Sequence, residues 1–245
     1  MVPVTLGSDT PTPRLRLDRA EALRYLGYTG QELDEVLCAR FERLVESCER
    51  TLHPACIHAV FAIDEERSCW DGDGAHVAFV GIPLVLEGCS IAAHLRGARK
   101  AAFMACTLGA AGERELRKYG ALGPTDALLY DAAASALIEA AADAEEAAVA
   151  EQASAAGLHA NFRFSPGYGD LPLMVQPAFL AALDATRRIG LSVTKNNLLV
   201  PTKSITAVIG LFDQLLPDAG ARDACAACQL RADCQFRKKG ITCHG

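Results

Sequence analysis

The sequence predicts an α+β fold: a mostly antiparallel sheet packed with helices, one of them long and alanine-rich, and a small cysteine-rich tail. Three observations point there. Hydrophobic residues make up 51% of the 245, enough to bury one sizeable core. Strand-like and helix-like runs are mixed without regular βαβ alternation. An alanine-rich run spans 126–156, and alanine is the strongest helix former.

Taken in order, Asp18 reads as the N-cap of a short helix that Gly27 ends. Thr29 and Glu32 have the form of a capping box, opening a helix that runs to about Thr51 and stops before Pro54. Leu33, Val36, Leu37, Phe41, Leu44 and Val45 mark its apolar stripe. Residues 56–64 and 76–80 read as strands joined through the Asp71-Gly72-Asp73-Gly74 turn into a hairpin. Ser90 caps a short helix to Leu95, and 100–108 is apolar throughout, as a buried strand requires. Gly109 and Gly112 open a helix ending near Tyr119. Pro124 then starts the alanine-rich helix, which Gly157 terminates. Residues 159–164 read as a strand, 165–172 as a loop, 177–188 as a helix ended by Gly190, 192–200 as irregular, and 203–212 as a strand.

Charge and composition exclude several function classes. The formal net charge of −6, with no basic stripe in the main body, argues against nucleic-acid binding. No apolar run approaches the ~20 residues of a membrane span. Residues 1–16 lack the basic start and apolar run of a signal peptide, so a cytoplasmic protein is expected, with 1–17 a flexible lead-in. Of ten cysteines, Cys38, Cys48, Cys56, Cys69, Cys89 and Cys106 are scattered and read as small buried thiols of a reducing compartment. His53, His58, His76, His94 and His159 are dispersed and read as partnered or exposed histidines rather than ligands.

The segment Arg163-Phe164-Ser165-Pro166-Gly167-Tyr168-Gly169-Asp170-Leu171-Pro172 leaves a strand with two glycines and two prolines. Glycine lets backbone approach a ligand, and proline holds a loop in one shape. Arg163 can pair with a carboxylate, Tyr168 offers an aromatic face, and Asp170 accepts from a ribose hydroxyl or an amine. On these residues alone the segment is a small-molecule loop or a tight structural turn.

Here the chain resembles a family. Arg163-x-x-x-Gly167-Tyr168 looks like the S-adenosylmethionine signature of the activation domain of cobalamin-dependent methionine synthase. Ile189-Gly190-Leu191-Ser192 and the run from Leu199-Val200-Pro201-Thr202-Lys203-Ser204 to Gly210 are similar to that family's later region. Residues 21–28 look like the opening of its short, free-standing members. The resemblance implies an activation-like domain over 18–218, with Arg163, Gly167 and Tyr168 as ligand-loop residues, Ser165 and Pro166 shaping that loop, and Lys203 and Ser204 facing the same cleft; Asp170 joins the candidate site on its own chemistry alone. It implies an accessory protein with no catalytic side chain of its own. That protein would hold S-adenosylmethionine above the cobalamin of a separate methionine synthase or other corrinoid protein while an electron donor reduces it. Gly169-Asp170-Leu171-Pro172-Leu173 stands where the synthase-embedded domains carry a polar, histidine-containing segment.

Cys225-x2-Cys228-x5-Cys234-x8-Cys243 fills the 219–245 tail. Four thiols so close can ligate an iron–sulfur cluster or zinc, or stay free. From Arg222 onward there are five basic and two acidic residues, a balance that would steer an acidic redox partner. Two other readings follow from the tail: an iron–sulfur redox protein serving a corrinoid enzyme, and a non-catalytic docking protein with tail zinc.

Overall fold

The computed structural model describes residues 15–28, 30–32 and 34–215. Its centre is a four-stranded antiparallel sheet built from β1 (Ala55–Ala62), β4 (Lys100–Thr107), β8 (Ser204–Phe212) and β5 (His159–Ala160), in the order β1-β4-β8-β5. Two further hairpins lie outside it: β2 (His76–Ala78) with β3 (Val85–Glu87), and β6 (Ser192–Val193) with β7 (Leu199–Val200). The mixture of helices and antiparallel strands agrees with the predicted α+β class.

The two central strands are apolar on both faces because both faces are covered. Side chains alternate across a strand, and here the two sets feed different cores. Ala102, Met104, Cys106, Ala207 and Ile209 join a core with the helices α1 (Arg19–Tyr25), α2 (Glu35–Thr51), α4 (Gly109–Leu122) and α5 (Pro124–Ala155). Ala101, Phe103, Ala105 and Val208 join a second core with β2, β3, α3 (Cys89–Leu95), α6 (Gln176–Leu183) and α7 (Ala185–Ile189). In this second core Phe103 stacks on Phe179 at 4.7 Å and meets the ring of Phe79 edge-on at 4.8 Å.

The long helix is as expected. Pro124 sits in its first turn, and its 32 residues span ~48 Å at 1.5 Å each. Ala133, Ala134, Ala141 and Ala142 are buried, so its backbone lies close over the sheet. The thiols of Cys56 and Cys106 reach its Ala141 carbonyl at 3.7 and 3.9 Å.

Several elements depart from expectation, each for a local reason. Helix α2 begins only at Glu35 and is capped by Asp34, its carboxylate accepting from the Leu37 N–H at 2.8 Å; Thr29 of the expected capping box lies outside the described residues. Val36, expected on the apolar stripe, is 78% exposed, while Phe41, Leu44 and Val45 are buried. The expected hairpin between β1 and β2 is absent; β2 pairs with β3, and β1 meets it only through an Ile63–Phe79 bridge. The helix expected over 177–188 breaks into α6 and α7 at Asp184, whose φ of 51° is left-handed. The strand expected over 159–164 pairs regularly only over two residues, because Asn161 turns its side chain onto β8 and α3. The cysteines are not uniformly buried: Cys48 and Cys106 are, but Cys38, Cys69 and Cys89 are exposed.

Candidate functional site

The 163–170 segment crosses the end of the sheet beside β8. Phe164 exchanges both backbone hydrogen bonds with Val208 at 2.9 Å, which fixes where the loop leaves the sheet. The loop then closes on itself. Tyr168 N–H donates to the Ser165 carbonyl at 3.1 Å, Leu171 N–H to that of Tyr168 at 3.1 Å, and Gly167 N–H to that of Leu171 at 2.8 Å. Gly167 has φ +96°, a conformation that other residues reach only with strain, and a Cβ there would stand 3.2 Å from Leu173. Pro166 is buried under the loop, and the Tyr168 ring is 51% exposed on top of it.

Asp170 holds the loop to α3. Its two carboxylate oxygens accept the N–H groups of Cys89 and Ser90 at 2.6 and 2.9 Å. The expected Ser90 cap is therefore absent: α3 has no side-chain cap of its own, and one from some 80 residues further along the chain satisfies its free amides. Desolvation opposes the charge on Asp170, but the amides of Ser90 and Cys89 outweigh it and hold the carboxyl below its ordinary range. The approach is so close that a Cβ on Gly88 would lie 2.5 Å from Asp170 Oδ1, and one on Gly169 would lie 2.5 Å from Ser90 Oγ.

Arg163 points the other way, onto α5. Its guanidinium bonds Glu146 at 2.6 Å and Glu139 at 3.0 Å and also meets Asp143, and its backbone N–H donates to Glu146 at 2.9 Å. Burial disfavours the charge, but these carboxylates raise the guanidinium pKa above its ordinary value. The carboxylate partners expected from a ligand are thus supplied by the protein. Lys203 is likewise engaged on α5, with Ser135 at 2.7 Å and Asp131 at 2.9 Å. Ser204 bonds Thr107 and the Pro201 carbonyl, both at 2.7 Å. Four residues separate Ser204 from Val208, where the loop attaches, or ~13 Å of strand. The structure therefore brings Ser165, Pro166, Gly167, Tyr168 and Asp170 together at the start of α3, sets Arg163 and Lys203 against α5, and leaves Ser204 bonded to β4 and the Pro201 carbonyl.

Residues not anticipated from sequence complete the neighbourhood. The imidazole of His94, at the end of α3, lies 4.7 Å from the ring of Phe162 and 5.1 Å from that of Phe164, which in turn stands 6.5 Å from Tyr168. Burial pushes the His94 pKa down to about 4, so it is neutral near pH 7. Asn161 braces this row, donating to the His94 carbonyl at 2.9 Å and accepting from Gly210 N–H at 2.7 Å. The only sequence signal was the alternation of Phe162 and Phe164 around Arg163, which sends the two rings to the side opposite the guanidinium.

Cys225, Cys228, Cys234 and Cys243 lie outside the described residues. Among the described residues no group of three or more His, Cys, Asp or Glu side chains is arranged to hold a metal ion. Nor is any described helix long and apolar enough to cross a membrane.

No family model matches the chain, and no curated protein matches it. Among solved structures it is similar to the MetH reactivation domain bound to AdoHcy, at a TM-score of 0.57 and 17% identity, covering 98% of this chain and 86% of that one. At that identity the likeness is one of fold: the described residues have an activation-domain-like architecture.

Proposed function

We propose that the chain binds S-adenosylmethionine at the 163–170 loop and serves the reductive reactivation of cobalamin on a separate methionine synthase or related corrinoid protein. The observation that carries this reading is the closed Gly167–Tyr168 loop, pinned to α3 by Asp170, in a fold shared with a reactivation domain bound to AdoHcy.

A cobalamin carried by the partner protein would supply the nucleophile once an external low-potential donor had reduced it by one electron: a cobalt–carbon bond would form to the sulfonium methyl carbon as its bond to sulfur broke, with S-adenosylhomocysteine as the leaving group. The chain's own contribution is position. Tyr168 presents an aromatic face to the ligand, and a sulfonium is attracted to such a face. Gly167 lets the ligand approach the backbone. Arg163 and Asp170 act from either side of the loop, one tying its start to α5 and the other tying its end to α3, so they position it rather than touch the ligand.

Calorimetric titration of the full chain with S-adenosylmethionine tests the reading. Saturable binding is expected, weakened about tenfold in Tyr168→Ala, a change at a half-exposed ring that leaves the fold intact. The readout on function is recovery of methyl transfer by an oxidised cobalamin-bound methionine synthase when chain, donor and S-adenosylmethionine are supplied together. Absence of saturable binding by folded protein overturns the proposal.

A further inference from the structure

We infer that Phe162 is the stacking platform for the purine ring of the bound nucleoside, with His94 and Asn161 as the positioning residues that hold it. The inference rests on the reading that the 163–170 loop binds an adenosyl ligand, and adds where the base lies and what recognises it.

Phe162 is 49% exposed although it sits one residue from the half-buried Arg163 ion-pair cluster and beside a sheet. A large ring left in water is ordinary when it stands alone; exposed rings joined through a connected aromatic row call for an occupant. This one is contiguous. Phe162 touches His94, His94 touches Phe164, Phe164 touches Tyr168, and the Gly167 backbone beside Tyr168 abuts Leu173, which is 38% exposed. Two exposed rings, Phe162 and Tyr168, therefore flank a partly buried base of His94 and Phe164. His94 meets Phe162 at an interplanar angle of 66°, an edge contact that props the ring from one side and leaves the rest open.

The row is also built to stay still. Asn161, immediately before Phe162, is 8% exposed and spends both ends of its amide on backbone, one on α3 and one on β8. Its own N–H donates to the Gly210 carbonyl at 3.0 Å. Phe162 is therefore presented on a fixed stem, and little ordering cost remains to be met on binding. The row is uncharged as well. His94 is neutral, and the Arg163 guanidinium is turned away onto three carboxylates. A neutral, rigid aromatic surface suits a flat, uncharged heterocycle such as adenine, whose π-face stacks on it. The cationic sulfonium then falls toward Tyr168 at the other end of the row.

The test is calorimetric titration of the full chain with three probes: S-adenosylmethionine, S-adenosylhomocysteine and adenosine. Parent, Phe162→Leu and Phe162→Tyr proteins are compared, with melting temperature as the check on folding. Phe162→Leu is expected to weaken all three probes, adenosine included, about tenfold, and Phe162→Tyr to restore them. If Phe162→Leu binds adenosine and S-adenosylhomocysteine as the parent does, the inference is overturned while the adenosyl-binding reading stands. If the parent binds adenosine in a Phe162-dependent way but takes neither adenosyl-sulfur ligand, the platform stands and the reactivation reading falls. No binding of any probe by folded parent overturns both.

Discussion

The imidazole of His58 lies 3% exposed between β1 and α5, with Glu145 Oε1 2.6 Å from Nδ1 and Gln152 Oε1 3.0 Å from Nε2. Two oxygen acceptors on two ring nitrogens are both satisfied only by the doubly protonated ring. Desolvation and the nearby Arg188 cation oppose that charge, but Glu145 and Gln152 prevail, and the folded-state pKa is raised above 6.5. A raised cation gives stability that is full below its unfolded pKa and is lost as pH rises through the folded value. The stability advantage of the parent over His58→Gln should therefore be largest below about pH 6.5 and shrink at higher pH, as read by denaturant melts of both proteins from mildly acid to alkaline buffer. An advantage that grows with pH would show that the ring is neutral when folded. The sequence marked His58 only as a partnered or exposed histidine rather than a ligand, and its partners, some 90 residues away, were not legible. The same holds for Asp170. The loop chemistry around it could be read from glycine and proline, whereas its bond to the α3 amides depends on how two distant segments pack.

At the scale of elements, the legible ones were those whose local signals agree with their packing. The long helix carries proline at its start, glycine after its end and alanine between, so propensity and burial point the same way. Strands β4 and β8 were readable as continuous apolar runs because both of their faces are covered. The elements misread are those decided by a distant contact: the strand cut short at Asn161, the helix broken at Asp184, and the hairpin whose partner is β3 rather than β1. Alanine in the long helix is a spacing device as well as a helix former. Ala134 is fully buried, whereas Ala147 faces solvent. Ala134→Leu should therefore cost about 1–3 kcal/mol through overpacking, while Ala147→Leu should change stability by less than about 0.5 kcal/mol. Chemical denaturation of the two variants checks this, and equal effects would mean that the helix does not set its distance from the sheet by side-chain size.

For the whole molecule, the sheet decides whether the two cores are one folding unit or two. Each central strand gives alternate residues to both: Phe103 goes to one side and Met104 to the other, Val208 to one side and Ile209 to the other. Neither core can lose its sheet face without β4 and β8 separating, and those strands pair along their whole length, Lys100 with Leu211 through to Thr107 with Ser204. The molecule carries its own probe for each layer. Trp70, the only tryptophan, packs against the core under α3 and α6. Far-ultraviolet dichroism is dominated by α2, α4 and α5, in the opposite layer. The two signals should lose structure at the same denaturant concentration. Leu137→Ala, which empties a site 1% exposed on the α5 side, should lower both midpoints together, for a stability loss of about 2–5 kcal/mol. A tryptophan transition that stays in place while the helical one shifts would divide the protein into two units. The candidate ligand site makes this a question about function, because the loop that forms it is tied to both layers, through Arg163 to α5 and through Asp170 to α3. If the layers unfold as one, any ligand held by that loop stabilises the whole molecule by mass action, and both signals should shift equally when it is added.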